Sequence, residues 1–174
     1  VFGVNSDATL ALHAVSIRNG FTNSSNGAGI RVLGELLMTH GTLDGNRAVL
    51  GGAISVETNA RAKLHNVTVS GNQAATAGGG IVLSEASARL VLEHCTVTDN
   101  ACNGAGAGGI ALGDGHMTTY SSIIARNTPG GNFSIDDPNN YTIQIVSLGY
   151  NLHDTNFAPL LSAFSSDGDQ ANTA

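Results

Sequence analysis

One phrase recurs along this chain. HNVTVSGNQAATAGGGIVL runs from His65 to Leu83, and EHCTVTDNACNGAGAGGIAL, from Glu93 to Leu112, repeats its pattern. Aligned on the residue that closes each phrase, Gly20, Asn46, Asn72, Asn100 and Asn127 stand 26, 26, 28 and 27 residues apart. Apolar positions keep the same register. One column reads Leu12, Met38, Leu64, Leu92, Thr119, and the next Val15, Gly41, Val67, Cys95, Ser122. A third reads Ile17, Leu43, Val69, Val97, Ile124. A second block, GAGIRV, GGAISV, GGGIVL and AGGIAL, brings Ile30, Ile54, Ile81 and Ile110 into line. A fixed period of this size means a solenoid, in which one unit cannot bury its apolar face until a neighbour stacks on it.

Two solenoids fit the period. Leu64-x-x-Val67-x-Val69-x-x-Asn72 resembles the start of a leucine-rich repeat, which returns through a helix or a turn of one. Here the return holds ATAGGGIVL or GAGAGGIAL, and each glycine costs roughly 1 kcal/mol inside a helix. The glycines are followed by I-x-L or I-x-V, a period of two that belongs to strands. Another alternating pair precedes each phrase: Leu10/Leu12, Leu36/Met38, Ala62/Leu64, Leu90/Leu92. Each turn therefore holds three short strands and no helix. That is an all-β parallel β-helix, with coils stacked about 4.8 Å apart. Columns of Val, Ile and Leu fill its interior. Asn46, Asn72, Asn100 and Asn127 are expected to end a strand at a bend, in the left-handed backbone region that Asn tolerates. Their amides are expected to form a structural ladder between coils. The glycines serve the other corner, through positive φ and close backbone approach.

Composition narrows the function. Only 11% of residues are charged and the formal net charge is −6, which excludes a nucleic-acid partner needing a basic face. No apolar run is long enough for a transmembrane helix, and no signal peptide is visible. Cys95 and Cys102 are too few for a disulfide framework or a zinc site, and no cofactor is expected. A local disulfide is the alternative to two reduced thiols. Asn23, Asn66, Asn132 and Asn140 match the glycosylation sequon at chance level.

The register also lets outward columns be read for chemistry. One holds His13, Thr39, His65, Glu93 and Tyr120, and its neighbour Ala14, His40, Asn66, His94 and Ser121. Another holds Ser16, Thr42, Thr68, Thr96 and Ile123, followed by Arg18, Asp44, Ser70, Thr98 and Ala125. No column sets two carboxylates on neighbouring coils, as a glycosidase requires. The chain therefore leans away from an enzyme. Were it one, a polysaccharide lyase or glycoside hydrolase would be expected. Histidines within one column stand two coils apart, about 10 Å, too far for shared metal ligation, although diagonal pairs such as His40 with His65 come closer. Ser16, Thr42, Thr68, Thr96 and Thr98 form a candidate surface array. Its hydroxyls are expected to bond one another along the axis, or to order water or glycan. Ice-binding solenoids use paired Thr columns, and here Thr96-Val97-Thr98 and Thr68-Val69-Ser70 alone supply the pair.

GGAI and GGGI alternating with VTVSGN and CTVTDN resemble the repeats of bacterial secreted right-handed β-helix proteins, among them the polymorphic outer-membrane-protein family. The resemblance covers residues 8 to 130. It implies a right-handed coil of five to six turns of 26–28 residues, secretion or display on a bacterial surface, and a non-catalytic structural or adhesin-like role. The implied partners are glycans, a cell surface or further copies stacked end to end. A polysaccharide-active or carbohydrate-binding solenoid is the alternative. IIARNTPGGNFS and SLGYNL resemble the last coils of such proteins, which continue into an anchor. Residues 1–128 read as the coils, and 129–174 as a last irregular coil and a C-terminal segment. Within that segment Phe133–Ile135 and Tyr141–Leu148 read as strands around a DDPNN loop, and FAPLLSAF as a cover for the core. The absence of an N-terminal cap points to a piece of a longer β-helix or to stacking on another molecule.

Overall fold

The computed structural model describes residues 1–85, 87–135, 145–154 and 164–171, and every regular element among them is a strand. The first coil holds β1 (Phe2–Val4), β2 (Thr9–His13) and β3 (Ser16–Arg18). The second holds β4 (Ile30–Val32), β5 (Glu35–Asp44) and β6 (Arg47–Leu50). The third holds β7 (Ile54–Val56), β8 (Arg61–Ser70) and β9 (Gln73–Ala77). The fourth holds β10 (Ile81–Leu83), β11 (Arg89–Glu93), β12 (Thr96–Thr98) and β13 (Ala101–Cys102). The fifth holds β14 (Ile110–Leu112), β15 (His116–Tyr120) and β16 (Ile123–Ala125). A sixth adds β17 (Phe133–Ile135), β18 (Ile145–Ser147) and β19 (Leu152–His153), followed by β20 (Gln170–Ala171). The DDPNN loop, Tyr141–Gln144 and all of FAPLLSAF before Phe164 lie outside the described residues.

Every strand pairs in parallel with its counterpart one coil away. The first sheet runs β1-β4-β7-β10-β14-β17, so that Ile30, Ile54, Ile81, Ile110 and Phe133 fall in line. The largest sheet joins the two strand segments of the main phrase, which in β5 and β8 run on without a break. Its inward columns are those of the sequence register: Leu12, Met38, Leu64, Leu92, Thr119, and Ile17, Leu43, Val69, Val97, Ile124. A third sheet, β6-β9-β13, was not expected. RAVL, QAATA and AC have little strand signature of their own. They are held because Arg47, Gln73 and Ala101 stack in register as the coils repeat.

The core is a rod of aliphatic side chains. Leu36, Met38, Leu43, Leu64, Val69, Leu92 and Val97 are wholly buried. Burying each such side chain contributes about 1.5–3 kcal/mol. Gly41 interrupts its valine column because the Met38 side chain fills the vacated space, and a Cβ there would collide with Met38 and the Val15 carbonyl. At the glycine corner, Gly51 and Gly78 have φ of 58° and 64°, where an L side chain is strained. A Cβ at Gly79 would strike the carbonyls of Ala101 and Gly108 on the next coil.

The asparagines differ from expectation in one respect. Positive φ falls one residue earlier, on Asn19, Gly45, Gly71, Asp99 and Arg126, with values of 55° to 64°. That left-handed residue turns the chain. The asparagine after it then points inward rather than occupying the bend, and Asn46, Asn72, Asn100 and Asn127 are buried.

The interior changes character toward the C-terminus. Thr119 and Ser147 continue the Leu12 column, and His153 continues the Ile17 column, all three buried. The hydroxyl of Thr119 donates to Asn151 Oδ1 at 3.0 Å, and Asn151 Nδ2 in turn donates to Asp169 Oδ1 at 3.1 Å. His153 packs on Phe164, ring centroids 4.4 Å apart. Its Nδ1 has no hydrogen-bond partner among the described residues. Burial holds its pKa below the ordinary value, with Asp169 and Asp154 acting in the opposite direction. The unfolded chain, titrating at about 6.5, therefore takes up this proton before the folded one. Stability is full above about pH 6.5 and falls as the pH drops from there toward the lower folded value. Thermal midpoints are expected to show this loss, and His153→Leu is expected to remove its share. An identical acid response in His153→Leu would exclude His153 as its source.

Candidate functional site

The asparagine ladder is directional. The Nδ2 of Asn46 donates to Asn72 Oδ1 at 3.0 Å, Asn72 to Asn100 at 2.9 Å and Asn100 to Asn127 at 2.9 Å. Each Oδ1 also accepts the backbone N–H of the preceding rung, beginning with Gly20 N at 2.9 Å from Asn46. The second proton of each amide goes to a carbonyl of the coil before it: Ile17, Leu43, Val69 and Val97. The row continues through Asn132 to Asp154. A chain of amides that all donate in one direction needs only an acceptor at its end, and an ionised carboxylate is acceptor-only. The shorter Thr119–Asn151 row likewise ends on a carboxylate, Asp169. With Asn132 in the row and buried, its sequon has no access to a glycan, whereas Asn23 and Asn66 are exposed. Asn140 lies outside the described residues.

Cys95 and Cys102 are free and buried. Burial pushes the Cys95 thiol up to about 11, so that at neutral pH it is a small apolar group rather than a nucleophile.

Ser16, Thr42, Thr68 and Thr96 stand in register on the outer face of the strand that follows the corner. No hydrogen bond joins the hydroxyls of Thr42, Thr68 and Thr96. The column ends on Ile123 and Leu152, 42% and 38% exposed. In the neighbouring column the Thr98 hydroxyl donates to Asp99, and Arg18 pairs with Asp44 at 2.9 Å. Further on, Arg126 embraces Asp99 at 2.7 Å and holds that carboxyl below the usual range.

A different feature runs unbroken along the axis. The rings of His13, His40, His65, His94, Tyr120 and Tyr150 meet edge to face, with centroid separations of 5.3, 6.0, 5.3, 5.4 and 6.2 Å. The pattern is a zigzag. His13 and Tyr120 end β2 and β15, and His65 holds the equivalent register position within β8, while His40, His94 and Tyr150 sit at the adjoining corner. That corner, Ala14, His40, Asn66, His94, Ser121 and Tyr150, has φ between 46° and 57° throughout. Alternation between the two columns halves the two-coil spacing within each. The diagonal contact foreseen for His40 and His65 is thus one of a continuous series.

The stripe is held by polar neighbours. His13 Nδ1 lies 2.8 Å from the Thr39 hydroxyl, and Asn66 Nδ2 3.3 Å from His40 Nε2. Glu93 receives Lys63 at 2.9 Å and His65 at 3.4 Å. Its carboxyl is held below the usual range chiefly by the bond from Lys63. Among the described residues no group of three His, Cys, Asp or Glu is placed to hold a metal ion. The sequence columns located the four histidines and Tyr120 but missed Tyr150. It follows a stretch where the period is interrupted, and no register could be carried across.

A family model described as a right handed beta helix region matches residues 4–154 of this chain. No curated protein and no solved structure matches it.

Proposed function

The chain belongs to the right-handed β-helix family, and from that premise we propose that it is a non-catalytic extracellular module, structural and adhesin-like, secreted or displayed on a bacterial surface. The observation that carries this reading is the ring stripe. It repeats one aromatic or imidazole group per coil along one side of a rigid rod. A parallel sheet fixes these groups before any partner arrives, so little ordering entropy opposes binding. Contact spread over successive coils gives adhesion without requiring groups that move protons. The same rings could stack on sugars, which keeps a carbohydrate-binding solenoid as the second reading. The test is to incubate the chain with soluble and immobilised polysaccharides and with cells, measuring retention and chain length together. Retention without shortening of any polysaccharide is the expected result. Depolymerisation abolished by a single carboxylate substitution would replace the adhesive reading with an enzymatic one.

A further inference from the structure

The outward side of the largest sheet is charged unlike the rest of the molecule. Arg61, Lys63 and Arg89, three of the seven Lys and Arg residues, project from it on adjacent coils. Five of the six histidines lie on this face or its corner: the four of the stripe and His116, which pairs in register with Arg89. The carboxylates on it, among the described residues, are three of the chain's thirteen Asp and Glu: Glu35, in register with Arg61, Glu93, and past the corner Asp44, which pairs with Arg18. Glu93 is already taken up by Lys63 and His65. A chain of net charge −6 thus turns one positive-leaning face outward.

Between the arginines and the rings runs one outward column of Ala11, Leu37, Lys63, Val91, Thr118 and Val146, in which Leu37 and Val146 are 37% and 43% exposed. At its C-terminal end Leu148 and Tyr150 are 59% and 64% exposed. Cations, exposed aliphatics and amphipathic rings side by side are the ingredients of a surface that rests in a lipid headgroup layer. There cations meet anionic headgroups, rings sit at the boundary between water and hydrocarbon, and aliphatic groups reach the acyl region. The face is an open sheet with a depression lined by Glu35, Leu37, Arg61, Lys63, Arg89 and Val91, so it suits a flat partner. A polysaccharide would use the cations and rings but would leave the exposed side chains of Leu37, Val146 and Leu148 in water.

We propose that this face docks flat onto an anionic lipid bilayer. The inference rests on the adhesive reading above, for which it names the partner. The acidic remainder of the chain repels such a surface at neutral pH. Histidine is in general the side chain whose charge changes between about pH 5 and about pH 8, and five stand on this face or its corner. Among the described residues, the charged and titratable groups facing these histidines include Lys63, Glu93, Arg89, Tyr120 and Tyr150.

The experiment is co-sedimentation of the whole chain with vesicles of phosphatidylcholine alone, or of phosphatidylcholine mixed with phosphatidylglycerol, at about pH 5 and about pH 8. Binding is expected to the mixed vesicles, stronger at the lower pH, and to weaken with added salt. The double variant Arg61→Ser, Arg89→Ser, at outward positions that leave the core intact, should lower the partition coefficient about tenfold or more. His40→Asn with His94→Asn keeps a side chain that tolerates positive φ and should flatten the pH response. Thermal midpoints of both variants establish that they fold. Equal binding to the two vesicle types, no binding at either pH, or an unchanged partition for the arginine variant would overturn the proposal. Retention on an acidic polysaccharide without vesicle binding would overturn it while leaving the adhesive reading standing. Depolymerisation of a polysaccharide would instead strike at the adhesive reading.

Discussion

Val69→Asp is expected to abolish the cooperative thermal transition, or to lower its midpoint more than any single surface change. Val69 is wholly buried and stands in register between Leu43 and Val97. An aspartate there would lie in an aliphatic column with no cation within reach. The unfavourable outcomes are an ionised carboxylate in hydrocarbon or a protonated one without its hydrogen bonds, and either costs several kcal/mol. The buried valine contribution is lost as well, about 1.5–3 kcal/mol. Against a total stability of about 5–15 kcal/mol, such a loss leaves few folded molecules. Thr96→Asp is the matched control. It stands next to Val97, on the outward side of β12, and should shift the midpoint little. Equal midpoints for Val69→Asp and the unsubstituted chain would mean that the assigned register is wrong.

Asn72→Ala is the second substitution with a large expected effect. Asn72 Oδ1 accepts from the backbone N–H and the Nδ2 of Asn46. Its own Nδ2 donates to Asn100 Oδ1 and to the Leu43 carbonyl. Truncation leaves two donors of Asn46 without their acceptor and removes one donor each from the Leu43 carbonyl and from Asn100 Oδ1, in a buried place. With about 1–3 kcal/mol for each group left unsatisfied and some relaxation, a loss of about 3 kcal/mol is expected, read as a shift in urea midpoint at constant slope. Asn59, which lies outside the row, is a poor control. Its φ is 60°, so alanine there is strained for an unrelated reason. Asn23→Ala, at an exposed position, is the better comparison and should change stability by only a few tenths of a kcal/mol. Similar losses at Asn72 and Asn23 would show that the row adds nothing beyond an ordinary turn.

The sequence by itself determined the repeat, and with it most of the architecture. In a parallel stack the step between coils is also the step between neighbours in space, so residues one period apart must touch. The columns through Leu64, Val67 and Val69, the isoleucines after the glycines, and the placing of Asn46, Asn72, Asn100 and Asn127 on successive coils could all be read from spacing alone. What lay beyond reach were properties set by backbone direction at the corners. Spacing does not reveal which of two adjacent residues takes positive φ. The left-handed position was therefore assigned to the asparagine rather than to Gly71 or Asp99 before it, and the inward aim of the amide followed only from the coordinates. The third sheet was invisible because QAATA and AC are strands by virtue of what they stack against, not by composition. The ring stripe was half legible. Each histidine could be placed in a column, but the 5.3 Å approach of His65 to His94 depends on how the corner residue leans toward its neighbour's column. Tyr150 joins that stripe, and Asp154 and Asp169 end the two amide rows, from a segment whose spacing breaks the period. There, only the tertiary fold decides which residues become neighbours, because once the repeat lapses, distance along the chain no longer predicts distance in space.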